Sequence, residues 1–339
     1  MMNPARPSPH ARRLPNRCVA MVVAAAGVLS TGALGQGYPH KPITLIVPTA
    51  PGGPVDVIAR VVVPELSAIL KQRIVVDNRP GAAQKIGIQA LLRAPKDGYT
   101  FSTASGASLT INPLIDAAIG YDPLRDFTLL SYAVEVPSIL VINPSLPVHS
   151  LGDLVAYARA NPGRLAYGSG GSGTSLHFGT ESLLSLLSLT ALHVPYKSSA
   201  PALQGLLGGE ISLLMPDVGT AKGHVQAGKL RALAISGAQR AKEFPDVPIY
   251  AETGRPELKA YEGYKQWVGF MAAAGIPQEA AAALQVALEQ ALRTPKIREA
   301  VGNLGFPVVG ATPEQFAASL RSELDAHRKM LDSGAVKLQ

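Results

Sequence analysis

The chain has 339 residues, a formal net charge of +7 and one cysteine. Residues 1–35 contain four arginines and no acid, so the remaining 304 residues carry 27 basic and 24 acidic side chains, without any basic run. This charge pattern excludes a nucleic-acid footprint. The length of the remainder favours two lobes over one domain.

The first 35 residues are predicted to form a secretory signal peptide. Four arginines precede an apolar stretch from Val19 to Leu29, and small residues follow at Ala33 and Gly35. This order predicts cleavage near Gly35 and a periplasmic protein. The stretch has roughly half of the ~20 residues needed to span a bilayer, which disfavours a retained anchor. Cys18 precedes it, which argues against lipid attachment, and the choice between the general secretory and twin-arginine routes stays open.

Short β-branched runs then alternate with amphipathic helical patterns, as a mostly parallel α/β sheet requires. The first such series has the order βαβαβ. Its predicted elements are strand 43–47, helix 55–71, strand 74–77, helix 84–93 and strand 99–103.

A second series begins after the apolar run Val136–Asn143. Capping boxes are predicted at Ser150 with Asp153 and at Thr312 with Gln315. The predicted elements are a helix from 150 to about 161, strand 164–167, helix 174–187, strand 192–196, helix 200–207, strand 211–215, apolar run 266–272, and helices 277–293, 295–304 and 313–331.

We therefore predict an α/β fold with two lobes, each a mostly parallel sheet flanked by helices. If the C-terminal helices pack against the first lobe, lobe 1 contains residues 36–137 and 262–339, and lobe 2 contains residues 138–261. The chain then crosses twice between the lobes, and a cleft between them is the default ligand site.

Loop 1 (Pro48–Asp56, PTAPGGPVD) lies between a predicted strand and a predicted helix. Pro54 suits the first helical position, Gly52 and Gly53 leave backbone N–H groups unshielded, and Asp56 can cap the helix from its first turn. A carboxylate bound there would gain about 1.5–3 kcal/mol per charge-assisted hydrogen bond. The alternative is a tight turn that binds nothing.

Loop 2 (Gly168–His177, GSGGSGTSLH) also joins a predicted strand to a predicted helix. Its glycines match the dinucleotide fingerprint, but the acidic residue expected about 20 positions later is missing. It also nearly matches a P-loop, although Thr174 stands at the lysine position. Free N–H groups and serine and threonine hydroxyls are suited to a carboxylate.

No catalytic or metal site is predicted. The serines fit no nucleophile elbow, and the seven histidines lack the spacing of zinc ligands. His177 is expected to brace loop 2 more than to act as a base. Lys197 lines the cleft or is solvated, Asp217 binds a ligand or caps a turn, and Trp267 packs between the lobes.

Several ordered motifs resemble one family. They include VPTAPGGPVDVIAR, VVDNRPGAA, APKDGYTF, NPGRLAYGSGGSGTSLHF, VPYKSSAPALQGLLGGEI and FPDVPIYAETG, and the similarity runs from about Tyr38 to the C-terminus. The chain thus resembles the Bug-type receptors of tripartite tricarboxylate transporters. The resemblance implies a type II periplasmic binding fold, mostly carboxylate ligands, membrane components of such a transporter as partners, a monomer, and neither cofactor nor metal.

In that family the two loops face each other across the cleft. Carried over by position, the resemblance implies a site that also includes the end of the third strand and a residue of lobe 2. The implied ligand-binding residues are Thr49, Ala50, Gly52, Gly53, Asp56, Ser105, Gly106, Ser169, Gly170, Gly173, Thr174, His177 and Asp217.

A few positions depart from the family pattern. Thr49 replaces an aromatic residue, residues 83–85 (AQK) replace Gly-Gly-Asn and add the cation Lys85, and Ser198 replaces a glycine. Pro64 is expected to kink the first helix. These changes favour a polar ligand or a dicarboxylate.

Three functions stay open at this point. A transport receptor and a ligand-sensing receptor for a signalling partner would use the same cleft, and a nicotinamide-dependent oxidoreductase depends on the glycine fingerprint alone. We also expect a bulky residue at Gly53 or Gly173 to abolish ligand binding and to leave the fold largely intact.

Overall fold

Two β-sheets, each covered by helices on both faces, form the fold. The computed structural model describes residue 1, residues 37–264, residues 266–334 and residue 336. Apart from Met1, the predicted signal peptide lies outside the described residues.

The first sheet has six strands in the order β11-β4-β10-β3-β1-β2. Its β1 pairs in parallel with β2 and β3, and the pairs that involve β4, β10 and β11 are antiparallel. The strands are β1 (Ile43–Val47), β2 (Ile74–Asn78), β3 (Thr100–Ala104), β4 (Phe127–Val136), β10 (Gln266–Ala273) and β11 (Val308–Ala311).

The second sheet has five strands in the order β7-β6-β8-β5-β9. Its β6 is parallel to β7 and β8, and β5 is antiparallel to β8 and β9. The strands are β5 (Ile139–Ile142), β6 (Ala166–Ser169), β7 (Leu192–Pro195), β8 (Leu213–Leu214) and β9 (Arg231–Ile235).

Helices connect most of the strands, and three more follow β10. The α-helices are α1 (Pro54–Leu70), α2 (Lys85–Arg93), α3 (Asn112–Ile115), α4 (Leu151–Ala160), α5 (Ser175–Leu186), α6 (Ser199–Leu207), α7 (Val218–Gln226), α8 (Gln278–Arg293), α9 (Pro295–Asn303) and α10 (Pro313–Asp332). Shorter elements are the 3₁₀ turns Ala82–Gln84, Tyr250–Glu252 and Pro256–Leu258, and the π-helix Ala107–Ile111.

The helix starts confirm the predicted local signals. Ser150 accepts a hydrogen bond from the Asp153 amide at 3.0 Å, and Thr312 and Gln315 form a capping box at the start of α10. Proline occupies the beginning of α1, as its fixed φ and missing N–H favour. This helix contains Pro64 and still continues to Leu70.

The α/β architecture with two sheets is confirmed, but both sheets are mixed, not mostly parallel. The cause in the first sheet is β10, which returns from the second sheet and enters between β3 and β4 in the antiparallel direction. The strands β4, β9 and β11 and the helices α3 and α7 were not predicted from the sequence. Polar residues interrupt the apolar pattern in β4 (FTLLSYAVEV), so simple strand periodicity does not mark it.

Tyr38–Gln339 form one compact unit. Within it, α1, α8 and α9 cover one face of the first sheet, and α2 and α10 cover the other. The chain leaves the first sheet after Val136 and returns at Gln266, so all strands of the second sheet lie between these residues. The lobe boundaries at 137/138 and 261/262 stay a prediction. Among the described residues, we find no helix with the length and apolar character of a membrane span.

Candidate ligand-binding site

Loop 1 lies at the carboxyl end of β1, directly before α1. Gly53 is the N-cap residue of α1 in an extended conformation, and Gly52 has a φ of +90° that favours glycine. A Cβ atom added to either glycine would meet no other atom within 4 Å. The space beside this helix start is therefore open.

Asp56 holds loop 1 in place. Its buried carboxylate accepts hydrogen bonds from Arg60 Nε (2.9 Å), Asn78 Nδ2 (2.8 Å) and the Gly52 amide (3.0 Å). Burial raises the pKa of Asp56, but the hydrogen bonds from Arg60, Asn78 and Gly52 outweigh it and keep the pKa below its usual value. Asn78 also donates to the Thr49 carbonyl at 3.0 Å, so the carboxylate and β2 together fix the loop.

Thr49 and Ala50 differ in their surroundings. The Thr49 hydroxyl oxygen is buried and has no hydrogen-bond partner among the described residues, whereas Ala50 is exposed. A buried hydroxyl without a partner is unfavourable by about 1–3 kcal/mol. Thr49 is thus a polar group of loop 1 with unused hydrogen-bonding capacity.

Ser105 and Gly106 follow β3 at the same edge of the sheet. The Ser105 hydroxyl donates to Gln84 Oε1 at 2.8 Å. A Cβ atom on Gly106 would lie 2.9 Å from the Tyr264 hydroxyl and 3.2 Å from Glu323 Oε1, so a larger residue would require these side chains to shift. Gln84 joins this group through Ser105, although the sequence analysis did not include it.

Loop 2 lies between β6, which ends at Ser169, and α5, which begins at Ser175. The Ser169 hydroxyl oxygen accepts from the Gly171 amide (3.0 Å) and hydrogen-bonds His193 Nε2 (2.6 Å), and Thr174 Oγ1 donates to the Gly171 carbonyl (2.7 Å). Both hydroxyls therefore shape the loop, and the Thr174 proton is not directed at a ligand.

His177, in the first turn of α5, stabilises loop 2. Its Nδ1 accepts from the Gly173 amide at 3.2 Å, and its ring stacks on His193 with centroids 3.9 Å apart. Tyr167 extends this stack beyond His193. Burial, and then the charge of His193, lower the pKa of His177 to about 4. The ring is neutral at pH 7, which fits the predicted bracing role.

Loop 2 contacts segments that belong to the first sheet. A Cβ atom on Gly173 would lie 3.1 Å from Asn112 Oδ1, 3.1 Å from Ile115 Cδ1 and 3.8 Å from Ala83 Cβ. Asn112 in turn donates to the Ala83 carbonyl. The structure thus brings loop 2 against the ends of the connections that follow β2 and β3. Asn112 is a further residue that the sequence analysis missed, because only the folded chain brings it close to loop 2.

The same contact argues against the expectation that a bulky residue at Gly173 would leave the fold largely intact. The φ of Gly173 is +74°, and the positions of Asn112 and Ile115 leave a larger side chain little space. A bulky residue there would strain the backbone and push the neighbours apart. Gly53, with an extended backbone and open surroundings, remains the suitable position for a blocking substitution.

Two lysines lie near the loops, and of these Lys85 is paired with an acidic side chain whereas Lys197 is exposed. Lys85 Nζ lies 2.7 Å from Asp116 Oδ2, so the cation expected from the sequence is neutralised. Lys197 is exposed. Its chain neighbours run along loop 2, since a Cβ atom on Gly170 would lie 3.6 Å from the carbonyl carbon of Ser198.

Asp217 caps α7. Its carboxylate accepts from the Thr220 amide (2.8 Å) and the Thr220 hydroxyl (2.6 Å), and a β-bridge joins it to Ser138, where the chain enters the second sheet. Burial raises its pKa in spite of the Thr220 hydrogen bonds. The capping alternative therefore describes its contacts, and no described contact joins Asp217 to either loop.

The surface hollows among the described residues include two that lie away from the loops. One is lined by α8, α9 and β11, and the other by β9 and the segments around Pro144 and Asp246. Within the described part of the chain, no group of three or more histidine, cysteine or acidic side chains is arranged to hold a metal ion. The loops themselves contain backbone amides, serine and threonine hydroxyls, the Asp56 carboxylate and the His177 ring. The neighbouring connections add the carboxamides of Gln84 and Asn112.

Two α/β sheets joined by a double chain crossing, with glycine loops at strand ends, define a solute-binding protein of the periplasmic type. Residues 58–333 match the family described as "Tripartite tricarboxylate transporter family receptor". The chain belongs to this family. The protein BugT of Bordetella pertussis is 34% identical over 323 residues, which cover 95% of this chain and 97% of BugT.

Solved structures agree with this assignment. The periplasmic binding protein BugD is 28% identical with a TM-score of 0.81, over 89% of this chain and all of BugD. Rhodopseudomonas palustris Rpa4515, solved with adipate, is 30% identical with a TM-score of 0.82, over 88% of this chain and 99% of that one. MatC of the same organism, solved with malate, is 26% identical with a TM-score of 0.79, over 86% and 99%.

Proposed function

We propose that this protein is a periplasmic receptor that captures a small carboxylate for a tripartite tricarboxylate-type uptake system. It acts as a monomer without enzymatic activity, and its partners are the membrane components of the transporter. The observation that carries the proposal is the open helix start at Gly52 and Gly53, on the first sheet whose connections also contact loop 2. The adipate and malate bound by two relatives support the ligand class.

The carboxylate is bound mainly by neutral donors. The Gly52 amide already donates to Asp56. The remaining N–H groups at the start of α1 and the positive end of its dipole favour an anion. Asp56 and Asp217 act within the protein, because their oxygens already accept hydrogen bonds from it. Of the residues predicted from the resemblance, Thr49, Gly53 and the backbone of loop 2 retain the capacity to contact a ligand.

A thermal-shift panel tests this function directly. It contains acetate, succinate, malate, adipate, citrate, benzoate, aspartate, acetamide and NAD. At 100 times its dissociation constant a ligand adds about 2.7 kcal/mol to the free energy of unfolding, which gives a clear rise in Tm. We expect at least one carboxylate to raise Tm. If no acid changes Tm and NAD raises it, the receptor function is contradicted.

The variant Gly53→Leu tests the location of the site. Because its surroundings are open and its φ is not left-handed, we expect the variant to keep the Tm of the unliganded protein and to lose the ligand-induced shift. Gly302→Leu in α9, where the added side chain also has open space, is the control that should keep both. Equal ligand affinity in the two variants would exclude loop 1 from the site.

A further inference from the structure

Gln84 ends a backbone segment with an unusual conformation. Ala82, Ala83 and Gln84 have φ values of +46°, +47° and +82°, so three consecutive residues with a Cβ atom lie in the left-handed region. Each of these conformations is unfavourable for an L-residue, and such residues concentrate at ligand clamps and switch regions. The segment joins β2 to α2 at the carboxyl edge of the first sheet.

Three hydrogen bonds hold the segment. The Gln84 amide donates to the Gly81 carbonyl at 3.0 Å, Asn112 donates to the Ala83 carbonyl, and the Ser105 hydroxyl donates to Gln84 Oε1. These contacts come from the connections that follow β2 and β3. The orientation of the Gln84 carboxamide is thereby fixed by the surrounding fold.

The amide nitrogen of the Gln84 carboxamide remains available to donate a hydrogen bond. Its Oε1 accepts from Ser105, and its Nε2 makes no hydrogen bond to the described residues. Gln84 is half-buried, and the adjacent Ala83 faces Gly173 of loop 2. The neighbouring cation Lys85 is compensated by Asp116. An oriented, neutral N–H donor therefore lies where the two halves of the protein meet.

We propose that Gln84 contacts the ligand and determines specificity, by donating from its Nε2 to a carboxylate or carbonyl oxygen of the bound acid. This inference rests on the proposed carboxylate-receptor function. A donor that cannot accept favours a ligand with an oxygen acceptor at this point, as in a dicarboxylate, a hydroxy acid or a keto acid. It discriminates against a ligand that places an ammonium group there.

Four proteins test the proposal: the wild type, Gln84→Gly, Gln84→Glu and Ala82→Gly. Their dissociation constants are measured by calorimetry with succinate, malate, adipate and aspartate. We expect Gln84→Gly to weaken binding of the best acid about tenfold or more, which is the effect of one lost hydrogen bond to a charged group. Gln84→Glu should weaken it further, since a carboxylate then faces a carboxylate.

Stability separates a ligand role from a structural one. Glycine tolerates a positive φ, so Gln84→Gly and the control Ala82→Gly should both keep or raise the Tm of the unliganded protein. Only Gln84→Gly should lose affinity. Equal affinity of Gln84→Gly and the wild type would overturn the role of Gln84 and leave the receptor function standing. If no acid of the thermal-shift panel binds the wild type, the receptor function and the role of Gln84 fail together.

Discussion

At the scale of single residues, the hydrogen-bond partners decide which polar groups remain for a ligand. Asp56 is occupied by Arg60, Asn78 and the Gly52 amide, and it acts as the anchor of loop 1. The hydroxyl of Thr49 has no partner among the described residues. The sequence predicted the capping role of Asp56 because the first turn of a helix favours an acid, but it could not show the contact with Asn78 on β2.

We expect Asp56→Asn to lower the free energy of unfolding at pH 7 by about 1–3 kcal/mol, because a charged acceptor of three donors is lost. Urea unfolding measures the change. The pKa of Asp56 is lowered in the folded state, so its contribution is present above the unfolded pKa and is lost as the pH falls through the folded pKa. The difference from the wild type should therefore shrink below about pH 4.

Asp325→Asn is the matched control, since this carboxylate is exposed and pairs only loosely with Arg328 at 3.6 Å. Its effect should stay within about 0.5 kcal/mol. A destabilisation as small as this for Asp56→Asn would show that loop 1 does not depend on the buried carboxylate.

At the scale of elements, α10 connects the two halves of the protein. Glu323 on this helix accepts from Thr110 Oγ1 (3.0 Å) and from Trp267 Nε1 (2.7 Å). One turn later, His327 packs against Phe178 of α5 with ring centroids 4.2 Å apart. The sequence predicted α10 and its capping box, but the apolar stripe of the helix does not show that a glutamate would also lie against the sheet.

Burial raises the pKa of Glu323 from 4.5 to about 7, although the hydrogen bonds from Trp267 and Thr110 oppose it. The folded protein thus keeps a proton that the unfolded chain releases above pH 4.5. The stability contributed by Glu323 is full below pH 4.5 and is lost as the pH rises through 7. Between those limits the loss is about 3 kcal/mol.

The substitution Glu323→Gln removes the carboxyl group that titrates. We expect the difference in unfolding free energy between the wild type and Glu323→Gln to be more favourable to the wild type at pH 5 than at pH 8. His327, whose pKa burial lowers to about 4, has the opposite pH dependence, but it is common to both proteins and cancels. Urea unfolding at the two pH values measures the difference, and Glu299→Gln, at an exposed position of α9, is the control. A difference that does not change with pH would contradict a raised pKa of Glu323.

At the scale of the whole molecule, two crossings of the chain join two sheets, and loop 2 contacts the connections of the first sheet at Ala83, Asn112 and Ile115. If the ligand is held between loop 1 and loop 2, as we propose, it gains contacts from both halves only when they approach each other. Binding should then favour the closed arrangement by the difference in affinity between the two states.

Small-angle X-ray scattering tests this closure. We expect the radius of gyration to fall when a carboxylate that raises Tm is added, and to stay unchanged when the same carboxylate is added to Gly53→Leu. Trp267, the single tryptophan, lies beside Glu323 and gives a second signal in its fluorescence. A saturating ligand that leaves the radius of the wild type unchanged would show that binding does not require closure.

The sequence by itself determined most of the local elements and the two loops, because strand periodicity, helix caps and glycine positions are properties of neighbouring residues. It also carried the family, through motifs spread along the chain. Only the tertiary structure decided the antiparallel entry of β10, the neutralisation of Lys85 by Asp116, and the meeting of Gln84 with Ser105. These features depend on contacts between residues far apart in the chain, and no local pattern specifies which distant partner a side chain will find.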